Sequence, residues 1–318
     1  MGKNRRGNVP PGNAASAAGA GVSGAAAGAK EATAPPIAAR SIGSHVSIRR
    51  GYAAAAKTAL SIGGSAFQYF PKNPRSLELK MPYDRSDAAA CAAFCREHGL
   101  PSIGHAPYPV NLAIDDQAKR EAIRRALLNA LDITDACGSI GLVVHFGKFS
   151  GPDPLQGYKN IIQLMNSVLT EYEGKALFLL ENMAGEGSQI GTTFEELVHM
   201  RQLCAYPHKV GFCVDTCHLF ASGYWNGGNW PEVERRGLEL GFFEHVRAVH
   251  FNDSVYGSGE RKDRHARIGH GRIGLPALRA ALQSPALARV PFVLETEPGA
   301  DGTHRDEIAF VRELAAGR

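Results

Sequence analysis

From residue 41 onward the chain alternates short β-rich runs with longer amphipathic stretches, and it does so eight times. The strand runs are predicted at 41–47, 66–70, 102–105, 141–145, 176–181, 210–215, 246–250 and 290–295. Between them the 3.6-residue pattern predicts helices at 52–62, 86–98, 115–137, 154–172 and 193–204. Pro231 suits the first turn of a further helix, expected to reach about residue 244. Eight βα units spaced roughly 25–45 residues apart predict a closed parallel (β/α)8 barrel, a TIM barrel of the α/β class. The runs at 142–144, 177–180 and 292–294 are continuously apolar, as strands buried on both faces must be. An open doubly wound sheet would place a Gly-rich phosphate loop after the first strand, whereas that turn reads Ser47-Ile48-Arg49-Arg50-Gly51. At 318 residues and 44% apolar, the chain is long enough to bury such a core.

Six of the eight predicted strands end on a metal-ligating side chain: His105, His145, Glu181, Asp215, His250 and Glu295. Parallel strands point their C-terminal ends the same way, so these six converge on one mouth of the barrel, where barrel enzymes carry their active sites. Buried charges cost several kcal/mol each unless they are paired or metal-bound, so a core built this way needs a reason. Three more candidates lie just past strand ends. His218 follows Asp215 by three residues, and Asp263 and His265 sit on one side of an extended segment. Five histidines and four carboxylates suit Zn²⁺, and also Mn²⁺ or Fe²⁺. Nine ligands exceed one ion but fit three if one carboxylate bridges two of them. Three divalent ions against four carboxylates leave a positive site, and a bridging hydroxide lowers it only to about +1. Such a site attracts and polarises an anionic phosphodiester. The six cysteines show no disulfide-framework spacing and read as small reduced residues, including the Cys213-x-x-x-Cys217 pair.

Several motifs, dispersed over about residues 41–315, carry a resemblance. They are Gly211-Phe-Cys-Val-Asp-Thr-Cys-His218, His250-Phe-Asn-Asp253 running on to Asp263-Arg-His265, and Glu181-Asn-Met-Ala-Gly-x-Gly187. Gly43-Ser-His-Val-Ser47, Phe70-Pro-Lys-Asn-Pro-Arg75 and Leu294-Glu-Thr296 complete the set. With these the chain resembles the endonuclease IV family, the zinc-dependent apurinic/apyrimidinic (AP) endonucleases. The resemblance implies that His105, His145 and Glu181 hold a first zinc, and that Glu181 bridges to a second held also by Asp215, His250 and Glu295. It assigns His218, Asp263 and His265 to a third. It implies a deoxyribonuclease IV activity: hydrolysis of the phosphodiester 5′ to an abasic site in duplex DNA, leaving a 3′-hydroxyl, with removal of 3′-blocking groups by the same chemistry. Glu295, with Glu181, is the expected catalytic carboxylate. Arg75 and Tyr108 are expected to enter the duplex, and Lys72, Asn73 and Lys148 to contact phosphates; His45 is expected to support the metal ligands from outside. The chain departs from the family pattern at Phe146–Phe149, where a second His is lost and Lys148 gained, at Val255 and at His270.

Residues 1–40 are rich in Ala, Gly, Pro and Ser, and are expected to be a disordered extension to a barrel domain at 41–318. They hold five basic residues and one acidic; the other 278 residues balance at thirty of each sign, so the net charge of +4 belongs to the extension. It reads as a solvated tail, a transit peptide, a nuclear-targeting segment or an electrostatic arm for nucleic acid. The expected location is intracellular, in the cytoplasm or another DNA-containing compartment, and the expected state a monomer. No apolar run reaches a membrane span, so no membrane partner is expected. The alternative reading is a metal-dependent sugar isomerase or epimerase on the related barrel, which typically uses about four ligands. A catalytically silent DNA-binding protein leaves the nine ligands without a purpose.

Overall fold

The computed structural model describes Met1 and residues 40–317, so the extension predicted at 1–40 lies almost wholly outside the described residues. The chain runs through β1 (Ile42–His45), β2 (Ala66–Tyr69), β3 (Ser102–His105), β4 (Gly141–His145), β5 (Leu177–Glu181), β6 (Val210–Asp215) and β7 (Val246–His250). A two-stranded antiparallel ribbon of β8 (Asp253–Ser254) and β9 (His265–Ala266) follows, and β10 (Phe292–Leu294) is the last strand. Strands β1 to β7 and β10 close into a barrel in sequence order, with every pairing parallel. This is the predicted (β/α)8 architecture.

The helices start where the sequence supplies caps. Asp84, Asp116 and Asp153 accept first-turn backbone N–H groups at the heads of α2 (Arg85–Glu97), α3 (Gln117–Ala136) and α4 (Pro154–Glu171), after α1 (Tyr52–Ser61). Thr193 and Glu196 form a reciprocal capping box on α5 (Phe194–Leu203). Then come α6 (Thr216–Ser222), α7 (Trp230–Glu239), α8 (Leu275–Gln283) and α9 (Arg305–Ala315). Two expectations are corrected. Helix α7 stops at Glu239 rather than about 244, because Gly241 takes φ 65° and Phe242 turns inward to stack on Phe194 and Phe212. Strand β10 is three residues long, so Glu295 stands one residue beyond it. Among the described residues, no helix is long and apolar enough to cross a membrane.

Strand alternation fixes what faces the barrel axis. Ile103, Val143, Leu179, Cys213, Ala248 and Val293 pack together as a buried layer, one residue from each of six strands. Two residues further along each strand the side chain points the same way. Those positions are His105, His145, Glu181, Asp215, His250 and Glu295.

Candidate metal centre

The six axial side chains are brought together at the C-terminal mouth, and three more join them. His218 comes from the first turn of α6, which follows β6 without a loop. Asp215 is the N-cap of that helix: its Oδ1 accepts the His218 N–H at 2.8 Å. The three-residue spacing of Asp215 and His218 is therefore a capping geometry that turns Oδ2 away from the helix, where it lies 3.5 Å from His265 Nε2. Asp263 and His265 arrive on the segment that closes the β8–β9 ribbon.

All nine predicted residues fall into compact groups whose ligand atoms lie within 4.8 Å of one another. One holds His105, His145 and Glu181; a second Glu181, Asp215, His250 and Glu295; a third His218, Asp263 and His265. Glu181 belongs to two of them, and its oxygens divide accordingly. Oε2 lies 2.9 Å from His145 Nε2 and 3.7 Å from His105 Nε2, whereas Oε1 lies 2.9 Å from His250 Nδ1. A fourth grouping adds Cys217 to Asp215 and His265. The Cys217 thiol also reaches the Arg264 carbonyl at 3.7 Å.

The donor set fits divalent ions on evidence beyond proximity. Glu181 Oε2, His218 Nε2 and His265 Nε2 are buried and have no hydrogen-bond partner. His218 Nε2 is 3.1 Å from Asp263 Oδ2 yet lacks the alignment of a hydrogen bond. The two imidazole nitrogens share one group with Asp263, and Glu181 belongs to another with His105 and His145, so each group contains a buried ligand atom without a hydrogen-bond partner. The rings are also held from behind: His105 Nδ1 is 2.7 Å from the Ala106 carbonyl, and His218 Nδ1 is 2.8 Å from that of Asn182. An Nδ1–H donated to a carbonyl leaves Nε2 as the ring atom aimed at the site.

Without cations the cluster keeps charge balance with protons. Burial opposes protonation of His218, but Asp215, Asp263 and Glu181 override it and raise its pKa well above the usual value. Burial also opposes protonation of His250, where Cys213, Glu295 and Glu181 prevail in the same direction. For His265 burial is again outweighed, by Asp215, Asp263 and Glu295, and the pKa rises to about 9. In Glu295 burial favours the neutral acid, yet His250 and His265 pull it down to about 2. The stability His265 gives the metal-free chain is therefore full below 6.5 and lost as pH rises through about 9. That of Glu295 is full above 4.5 and lost as pH falls toward 2. Metal uptake must displace the histidine protons. Loading a stripped chain at pH 7 is expected to release about three protons from these rings, read by titration calorimetry in buffers of different ionisation heat. Release of less than one proton would mean that the rings are already neutral.

Amide side chains that the sequence reading passed over surround the carboxylates. Asn252 donates to Asp215 Oδ2 at 2.8 Å and to Glu295 Oε2 at 3.3 Å, and accepts the Glu295 N–H at 2.9 Å. Asn182 accepts the Asp215 N–H at 2.8 Å and donates to the Asp215 carbonyl at 3.1 Å. Gln68, opposite His45 in the β1–β2 register, touches both Glu295 and His250. A polar residue two positions after Ala66 in an otherwise apolar strand was the available signal. His45 lies 3.3 Å from the Gln68 amide, and its link to Glu295 runs through that amide.

Among the predicted DNA contacts, Arg75 and Asn73 are exposed and Tyr108 is 64% exposed. The Tyr108 N–H donates to the Pro74 carbonyl at 2.8 Å, which ties the two loops together, and its ring packs edge-on against Phe70. Lys72 is a correction. It is 3% exposed, and its ammonium donates to the carbonyls of Leu77 and Glu78 at 3.2 and 2.7 Å, so it braces the 72–78 loop from inside and cannot meet a phosphate. The departures are accommodated. Phe146 is buried under Gly191, and Lys148 is exposed at an isolated bridge to Gln189, its backbone making two hydrogen bonds with the Asn111 side chain. Val255 closes the ribbon through the Arg264 carbonyl, and His270 is exposed. Asp253 anchors that region by accepting the N–H groups of Ser254, Gly269, Gly271 and Ile273 at 2.8–3.1 Å.

Fold and site thus define a class: (β/α)8 barrels with a polynuclear candidate metal centre at the strand ends. Residues 56–314 match the family described as Xylose isomerase-like TIM barrel. The "Probable endonuclease 4" of Symbiobacterium thermophilum is 38% identical over 86% of this chain and 99% of its own length. The crystal structure of endonuclease IV from Thermus thermophilus superposes with a TM-score of 0.75 at 30% identity, over 87% of this chain and 98% of that one. A D-tagatose 3-epimerase-like protein shares the fold alone, with a TM-score of 0.63 at 16% identity over 86% of this chain and 98% of that one. The chain belongs to the endonuclease IV family.

Proposed function

We propose that the protein is a DNA-repair endonuclease that hydrolyses the phosphodiester 5′ to an abasic site in duplex DNA and removes 3′-blocking groups by the same chemistry. The observation that carries this reading is the splitting of nine ligands into three groups joined through the two oxygens of Glu181. Three divalent ions, zinc foremost with Mn²⁺ or Fe²⁺ as substitutes, are its cofactors. His105, His145 and Glu181 would hold one, Glu181, Asp215, His250 and Glu295 a second, and His218, Asp263 and His265 a third. When bound, such ions polarise phosphoryl oxygens and lower the pKa of bound water to about 7.

The chain's own groups supply the rest. Glu295 is 16% exposed at its side chain, against 1% for Glu181 and 0% for Asp215, so among these three carboxylates it is the one that water and substrate reach. It accepts the proton of the attacking water as the water oxygen bonds to phosphorus and the P–O bond to the departing 3′-oxygen breaks; that oxygen takes up a proton from solvent and leaves as a hydroxyl. Asn252 and Gln68 keep Glu295 aimed. Arg75 and Tyr108, on loops tied together at Pro74, enter the duplex, where an abasic position costs least to unstack. Asn73 and Lys148 contact phosphates, and a monomer suffices for the whole site. The epimerase reading leaves the third group without a use.

The test joins elemental metal counting to nicking of a duplex bearing one abasic analogue. About three metals per chain and a nick whose 3′ end a polymerase extends are expected. Fewer than two metals, with no nicking after zinc reconstitution, would overturn the reading.

A further inference from the structure

Six barrel strands carry metal-ligand candidates at their ends, and β1 and β2 carry none. These two meet side by side, with His45 opposite Gln68 in register. Gln68 is fully buried and points along the same axial face as the ligands, two residues after Ala66. Its carboxamide uses both ends. The Oε1 lies 2.7 Å from His250 Nε2, and the Nε2 donates to Glu295 Oε1 at 2.6 Å while lying 3.3 Å from His45 Nδ1.

These contacts determine one another. Glu295 is a carboxylate and can only accept, so the amide end facing it must be NH₂. The opposite end is then the carbonyl, and the His250 nitrogen facing it must carry a proton. With Nε2–H committed to Gln68, Nδ1 is the His250 atom that faces the site, 2.9 Å from Glu181 Oε1 and 3.1 Å from Glu295 Oε2, and its proton is the one a metal ion would displace. The second amide hydrogen is accepted by His45 Nδ1, which prevents the carboxamide from flipping. A flip would set its oxygen against the Glu295 carboxylate.

We propose that Gln68 is the positioning residue of the second metal group: it selects the ligating tautomer of His250 and aims Glu295, with His45 fixing the amide's direction. The proposal rests on the metal-centre reading above. It also explains why the two strands without ligands still carry polar residues at the axial position.

The test uses the full chain loaded with Zn²⁺ or Co²⁺ and two variants. Gln68→Met keeps length and removes both hydrogen bonds. Gln68→Glu keeps an acceptor for His250 Nε2–H but sets a negative charge against Glu295. Competition with a chromogenic chelator should show one ion per chain bound about 10–100-fold more weakly in Gln68→Met, with the other two near wild type. The visible spectrum of the Co²⁺-loaded chain should change for that ion alone. Gln68→Glu should restore part of the lost affinity while its nicking stays low, because His250 is served and Glu295 is not. Wild-type affinity and Co²⁺ spectrum in Gln68→Met would overturn the positioning role while leaving the metal centre standing. Equal weakening of all three ions, with a lowered melting temperature of the metal-free chain, would reduce Gln68 to a packing residue and overturn it too. A wild-type chain that retains no metal would overturn the metal centre itself, and this role with it.

Discussion

Glu181→Gln is expected to lower nicking by about 10³-fold or more and to release metal from two groups at once. Its two oxygens face different histidines, Oε2 toward His145 and Oε1 toward His250, and the side chain is 1% exposed. An amide presents one oxygen and one NH₂, so whichever way it turns one group meets a donor in place of a ligand. Metal ions contribute several kcal/mol of transition-state stabilisation, and each 1.36 kcal/mol is a factor of ten in rate. Elemental analysis after gel filtration, beside nicking of the abasic duplex, reads both effects. A variant that keeps three metals per chain would show that Glu181 is no bridge.

The second large effect is expected at Glu295. Glu295→Gln should cut the nicking rate about 10²–10⁴-fold, the usual contribution of a positioned general base. Binding of the abasic duplex should stay within a few-fold, because the exposed Arg75 and Tyr108, the side chains proposed to engage it, are untouched. The amide keeps an oxygen for the second group but cannot take a proton. Single-turnover nicking with a parallel binding titration separates the two quantities. Normal cutting by this variant would assign the proton to another group.

The strand-end ligands were legible in the sequence because a strand repeats every two residues. Once Val143 and Leu179 are placed on the axis, His145 and Glu181 must follow them onto it. The hard boundary of β10 was not legible: Glu295 continues the alternation of Val293, although pairing ends at Leu294. Lys72 shows the limit for loops. A lysine between Pro71 and Asn73 has no periodicity to betray that its ammonium turns back onto the carbonyls of Leu77 and Glu78. Gln68 and Asn252 escaped for a different reason. A neutral amide carries no charge that demands a partner, so the break Gln68 makes in an apolar strand is a faint mark until the carboxylate beside it is located. His218 was found by spacing, and the N-cap geometry of Asp215 supplies the cause.

The third group is built differently from the other two. His218 belongs to a helix start, but Asp263 and His265 hang on a segment returned to the barrel by the carboxylate of Asp253 and its four backbone partners. Gly271 permits that closure, since a Cβ there would stand 2.4 Å from Asp253 Oδ1. A change of length or sequence between β7 and β10 can therefore remove Asp263 and His265 from the third candidate group while every strand keeps its register. The barrel rim acts as a fixed chassis for the first two candidate groups, and the anchored segment as an exchangeable part.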